Sequence, residues 1–271
     1  EPDIAIYSNG SIAIAYRDAD TGGLHLMRYT GSWWHHTDMV SEGAAEDIVL
    51  NIDVNDILHL SYLDTLNERV AVISLDGDVR TFSVVDEGQG IGQPLGHHLD
   101  ATTRAQLVYG IDNGTGLRIV RDLTGRDDGR IAPDPLLVLE STESTEFGTG
   151  ANANGDYNAD GYSDLIYGEP GANNDTGAVY IHYGSVDGYT STPDLTLSGL
   201  HEGARFGASL ALLGDADGNG YDDLIVGAPN QNNDTGNSTG AVHLFTGFAT
   251  GLNPGAIWMS AGDTIGGLFG S

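Results

Sequence analysis

The stretch Gly155–Pro170, GDYNADGYSDLIYGEP, places three carboxylates and an amide within nine positions, directly ahead of a short apolar run. It returns 59 residues later as Gly214–Pro229, GDADGNGYDDLIVGAP. With the first aspartate as position 1, oxygen-bearing side chains stand at positions 1, 3, 5 and 9. These are Asp156, Asn158, Asp160 and Asp164 in one copy, and Asp215, Asp217, Asn219 and Asp223 in the other. Position 6 is a glycine, Gly161 or Gly220, which permits a sharp bend. Alternate positions of a tight loop can point inward together. The carbonyl at position 7, Tyr162 or Tyr221, can turn in as a further oxygen. A hard cation such as calcium takes about six to eight oxygens at roughly 2.3–2.6 Å. Without one, three crowded carboxylates repel each other and raise their own pKa values. The spacing therefore predicts two calcium sites.

The loop is not an EF-hand, which needs glutamate at position 12 and a helix after it. Position 12 here is Tyr167 or Val226, inside DLIYG and DLIVG, which read as strands.

The repeat extends well beyond the loop. Phe147-Gly148 recurs as Phe206-Gly207, Pro170 as Pro229, and NNDTG at Asn173–Gly177 as Asn232–Gly236, all at an offset of 59. GAVY at Gly177 returns as GAVH at Gly240, an offset of 63, because NSTG (Asn237–Gly240) is added. Phe269-Gly270 then lies 63 beyond Phe206-Gly207 and opens a third copy. The first half repeats more loosely. IAIAYRDA, ILHLSYLD and AQLVYGID put Tyr16, Tyr62 and Tyr109 at spacings of 46 and 47. Within one such unit DIVLNID, ILHLSYL, RVAVISL and VRTFSVV read as four short strands separated by turns. Asn9-Gly10 between IAIY and IAIAY is a hairpin signal. Val70 and Val72 alternate with Ala71, Ile73 and Leu75, the pattern of a strand buried on both faces. No segment shows a capped 3.6-residue apolar period, so almost no helix is expected.

Four strands per unit and units of 40 to 60 residues predict an all-β fold, a β-propeller of four-stranded antiparallel blades. Residues 1–135 supply three blades of about 46 residues without calcium loops. Residues 136–271 supply two calcium-binding blades and the start of a third, in one continuous propeller. Five to six blades are then present, and a seven-bladed ring in the parent protein would continue beyond Ser271.

The order FG, D-x-[DN]-x-[DN]-G-x-x-D-L, G-[AE]-P, GAVY/GAVH resembles the FG-GAP repeat over about residues 140–271. That repeat builds the propeller of integrin alpha subunits and of many microbial surface and secreted proteins. The resemblance implies one blade per repeat and a calcium loop between the first two strands of each blade. It also implies a structural role for calcium and ligand binding on the opposite propeller face. Glu169 in GEP departs from the usual small residue and is expected to be an exposed charge.

Composition narrows the function classes. Formal net charge is −29, and all ten basic residues are arginine. Such a surface repels nucleic acid and anionic membrane. No apolar run approaches the length of a membrane span. The absence of cysteine excludes disulfides and thiolate sites. Sequons at Asn9, Asn113, Asn174, Asn233 and Asn237 fit a glycosylated, secreted or cell-surface protein.

Catalytic signatures are lacking: there is no G-x-S-x-G, H-E-x-x-H, P-loop or sialidase-type Asp-box. His35-His36 and His97-His98 cannot form sites by themselves, since adjacent strand residues face opposite sides. Trp33, Trp34 and Trp258 are expected in blade packing, and Glu140, Glu143 and Glu146 in a solvated linker. The leading expectation is a non-enzymatic extracellular module for adhesion, binding a protein or glycan on one face. The alternatives are a subunit of an extracellular filament or surface layer, built from copies of itself, and a secreted polysaccharide lyase or hydrolase.

Overall fold

Asn9-Gly10 makes the expected hairpin. β1 (Asp3–Ile6) and β2 (Ile12–Arg17) pair antiparallel with Ile6 opposite Ile12, and Gly10 between them takes φ +81°. β3 (Leu24–Tyr29) and β4 (Trp34–Val40) complete a four-stranded sheet in the order β1-β2-β3-β4. The pattern repeats with β5 (Ala45–Ile52), β6 (Leu58–Asp64), β7 (Arg69–Asp76) and β8 (Val79–Glu87). These are the four strands read from residues 47–85. A third sheet holds β9 (Gly92–Leu99), β10 (Ala105–Ile111), β11 (Gly116–Arg121) and β12 (Leu137–Glu140). The structure, a computed structural model, describes residues 2–40, 45–53, 55–88, 90–99, 105–111, 116–121, 137–141, 146–232, 236–264 and 266–271. Two compact units divide the chain, Glu1–Asp112 with Ile119–Pro135 and Asn113–Arg118 with Leu136–Ser271.

The second unit holds the two strongest repeats. β13 (Thr149–Gly155), β14 (Asp164–Glu169), β15 (Ala178–His182) and β16 (Leu195–Ser198) form one antiparallel sheet. β17 (Ser209–Gly214), β18 (Asp223–Ala228), β19 (Ala241–Phe245) and β22 (Trp258–Ala261) form the next. A small hairpin, β20 (Gly247–Phe248) with β21 (Gly251–Leu252), sits between β19 and β22. The fold is therefore all-β and built of four-stranded antiparallel propeller blades. Five such sheets are described. The single helical segment among the described residues, Ala172–Asp175, has Asn173 and Asn174 at φ +53° and +58°, so it is a left-handed turn. Asparagine tolerates that region better than most residues, which accounts for NNDTG at this turn.

Burial on both faces, read from β7, is observed in the first unit. Ala71, Ile73 and Leu75 join a core with Ala13, Ala15, Leu24 and Leu26 of the first blade. Val70 and Val72 face the other way, into a core with Leu107, Tyr109 and Val120. A blade thus serves as a wall for two cores, which is why its central strand carries no polar alternation.

In the second unit the Phe-Gly dipeptides join successive blades. Gly177 and Phe206 form a parallel bridge, and Gly240 and Phe269 repeat it. A Cβ on Gly177 would lie 2.1 Å from the Phe206 carbonyl oxygen, and one on Gly240 would lie 2.2 Å from that of Phe269. Only glycine allows this approach. The Phe206 ring is buried with Val179, Leu197, Leu224 and Phe245, and meets Phe245 and His243 edge-on.

Three expectations need correction. Trp33, Trp34 and Trp258 are exposed, not packed between blades. Trp33 lies in the β3–β4 turn, and Trp34 and Trp258 lie on edge strands, where one flank has no neighbouring strand. Glu169 is buried, not an exposed charge; it accepts hydrogen bonds from the hydroxyls of Ser141 and Tyr180. Glu146 is not merely solvated, because Arg205 Nη2 lies 2.6 Å from both its carboxylate oxygens. Glu140 is exposed, and Glu143 lies outside the described residues.

Candidate metal centres in two blade loops

Each acidic loop joins the first two strands of its blade. Residues 156–163 link β13 to β14, and residues 215–222 link β17 to β18. Positions 9 to 14 are the second strand itself, so no helix follows either loop.

Local hydrogen bonds fold the two loops alike, position by position. At position 1, Asp156 accepts from the N–H groups of Asp160 and Gly161, and Asp215 accepts from those of Asn219 and Gly220. At position 3, Asn158 Oδ1 and Asp217 Oδ1 accept from the position 5 N–H. At position 5, Asp160 and Asn219 accept from the position 7 N–H of Tyr162 and Tyr221. These turns are what Asp and Asn side chains favour. Gly161 at φ +88° and Gly220 at φ +92° make the bend where a side chain would be strained.

Position 9 anchors each loop from below. Asp164 accepts from Tyr157 N–H at 2.8 Å and Gly184 N–H at 2.8 Å. Asp223 accepts from Ala216 N–H at 2.9 Å and Gly247 N–H at 3.1 Å. Both aspartates are fully buried. Gly184 and Gly247 are 63 apart, so the offset created by NSTG reappears in three dimensions.

The electrostatics are unfavourable for bare carboxylates. Burial pushes the Asp164 carboxyl up to about 8, against two backbone hydrogen bonds that favour ionisation, and the charges of Asp156 and Asp160 push the same way. Asp156 is also raised, chiefly by burial. Among the described residues no arginine or histidine forms an ion pair with a loop carboxylate. In the second loop, carboxylate oxygens of Asp215, Asp217 and Asp223 lie within 4.8 Å of one another. The first loop's carboxylates are not gathered in this way. Its third one stands at position 5, where Asp160 accepts from Tyr162 N–H and the Asn158 amide.

Sequence reasoning missed Asp222. Its carboxylate accepts from Asp156 N–H at 2.9 Å and so ties the second loop to the first. The YDD of the second copy, where the first has YSD, was the available signal. Two of the sequons, Asn113 and Asn233, lie outside the described residues, as do the side chains of His97 and His98. Asn9 and Asn174 are exposed in turns, and Asn237 is half-buried.

The FG-GAP repeat model matches residues 149–182 and 206–245, the two segments that contain these loops. This chain carries FG-GAP repeats. Beyond the repeats, it is similar to integrin alpha subunits over most of its length. It is 28% identical to integrin alpha-5 of Xenopus laevis over 92% of the chain, and 28% identical to integrin alpha-V of Gallus gallus over 87%. Identity rises to 42% with integrin alpha pat-2 of Caenorhabditis elegans, over 34% of the chain. The chain spans only 22% of the alpha-5 and alpha-V subunits and 8% of alpha pat-2. No helix among the described residues is long and apolar enough to cross a membrane.

Proposed function

We propose that this FG-GAP segment is a calcium-stabilised, non-enzymatic propeller module of the cell surface or extracellular space, serving adhesion to a protein or glycan ligand. The observation that carries the calcium reading is the pair of loops with matching hydrogen bonds, whose buried aspartates, Asp164 and Asp223, have no cationic partner among the described residues. Asp156, Asn158, Asp160, Asp164 and the Tyr162 carbonyl would hold one ion. Asp215, Asp217, Asn219, Asp223 and the Tyr221 carbonyl would hold the other. Bound calcium supplies the positive charge that these sites lack. The rest of the loop is already shaped by backbone hydrogen bonds, so little ordering remains to oppose binding. The integrin alpha likeness supports an adhesive role, and the acidic surface supports a ligand other than nucleic acid.

Thermal unfolding tests the calcium part. An ion that binds only the folded state must stabilise it, by about 1.4 kcal/mol per site at a concentration tenfold above Kd. The melting temperature should rise when calcium replaces chelator and should stay constant in the Asp164→Ala, Asp223→Ala double variant. A wild-type melting temperature that ignores calcium would overturn the reading.

A further inference from the structure

We infer that the first blade carries a site for a borderline divalent transition metal such as zinc, formed by His25, His36 and Asp38. The three residues share one face of the sheet. His25 on β3 pairs directly with Asp38 on β4 and with Tyr16 on β2, while His36 stands two residues before Asp38. Alternation along β4 therefore brings His36 and Asp38 to the same side, and leaves His35 on the other. Asp38 is where the two rings converge. Its Oδ1 is 2.9 Å from His25 Nδ1 and 3.6 Å from His36 Nδ1, and one ligand atom from each of the three residues fits within 4.8 Å.

The spacing suits zinc. Ligands held about 2.0–2.1 Å from a tetrahedral ion sit about 3.4 Å from each other, and the observed 2.9 and 3.6 Å bracket that value. Imidazole nitrogens select zinc, copper or nickel, whereas calcium takes oxygen ligands. Tyr16 orients the second ring: its hydroxyl lies 3.1 Å from His36 Nε2. When that hydroxyl accepts the Nε2 proton, Nδ1 keeps its lone pair and faces the carboxylate at a distance too long for a hydrogen bond. A cation between them resolves that opposition. Such outer partners commonly fix the tautomer of a ligating histidine.

His25 supplies the third ligand through Nδ1. Its Nε2 is buried with no hydrogen-bond partner among the described residues, while Nδ1 donates to Asp38. Metal at Nδ1 replaces the hydrogen bond to Asp38 and moves the ring proton to Nε2, which costs one unpaired buried N–H that the metal bond must outweigh. His36 and Asp38 are exposed, so an ion can enter from solvent. Three protein ligands leave a coordination position for water or for a donor from another molecule. The bound ion would tie the edge strand β4 to β3.

Isothermal titration of the chelator-stripped, dialysed chain with zinc chloride tests this, with calcium kept saturating so that the acidic loops are occupied. One zinc per chain is expected. Affinity should fall by at least about tenfold in His36→Ala and in Asp38→Asn, and by about tenfold in Tyr16→Phe. His35→Ala, on the opposite side of β4, should bind as wild type does. His36 is at the surface, so its truncation leaves the fold intact, which circular dichroism checks. Cobalt offers a second readout, since nitrogen ligation gives visible absorption bands that His36→Ala should lose. Absence of zinc binding to the calcium-loaded chain would overturn the inference. So would undiminished affinity in both His36→Ala and Asp38→Asn.

Discussion

Phe206 and Phe269 occupy the same place in the repeat, 63 residues apart, yet truncating them should have unequal effects. Both form the parallel bridge to a glycine of the preceding blade. Phe206 is only 1% exposed, enclosed by Val179, Leu197, Leu224 and Phe245, whereas Phe269 is 42% exposed. Deleting an enclosed phenylalanine removes its transfer free energy and leaves a cavity, so Phe206→Ala should destabilise by about 3–5 kcal/mol. Phe269 has lost little more than half its contact with water. Its truncation opens no closed cavity, so about 1–2 kcal/mol is expected, a matching share of the burial of a large apolar side chain. Urea unfolding in saturating calcium measures both, followed by far-ultraviolet circular dichroism and by the combined emission of Trp33, Trp34 and Trp258. A shift in midpoint at constant slope reports stability alone. Equal losses in the two variants, or a loss below about 1 kcal/mol for Phe206→Ala, would refute the claim that ring burial, rather than the backbone bridge, holds successive blades together.

Other outcomes follow from the same geometry. Gly177→Ala would press a methyl group against the Phe206 carbonyl and hold φ at +84°, whereas Gly203→Ala at φ +77° meets nothing within 4 Å. Chemical denaturation should show about 1–2 kcal/mol lost in Gly203→Ala from strain alone, and clearly more in Gly177→Ala. Calcium stabilisation should depend on pH. In chelator the Asp164 carboxyl, raised from its ordinary 3.8 to about 8, holds its proton in the folded chain after the unfolded chain has released it. That contribution is fully present below about pH 4 and is lost as pH rises to about 8. Calcium replaces the proton, so the rise in melting temperature on adding calcium should be larger at pH 8 than at pH 5. A rise that shrinks with pH would contradict the raised carboxyl.

Periodicity made much of this protein legible before any coordinates. Alternation in RVAVISL announced a strand buried on both faces, and Ala71 and Val70 do face separate cores. The 59- and 63-residue offsets placed both acidic loops, the recurring Phe-Gly dipeptides and the start of a third copy, because each repeat must present the same surface to the next. The loops themselves were readable because their shaping contacts are local, from aspartate and asparagine to N–H groups a few residues away.

What the chain order hides is whatever depends on partners far apart in sequence. The tryptophans looked like packing residues, but edge strands leave Trp34 and Trp258 in water. Glu169 looked like a surface charge, but hydroxyls from Ser141 and Tyr180 meet it in the interior. Asp222 reaches a loop 66 residues earlier, and His25 meets His36 and Asp38 through the β3–β4 register alone. The sequence by itself therefore determined the strands, the repeat and the acidic loops, all of which are local or periodic. Only the tertiary structure decided which side chains are enclosed and which distant groups meet, because burial and cross-strand register arise when sheets pair and stack.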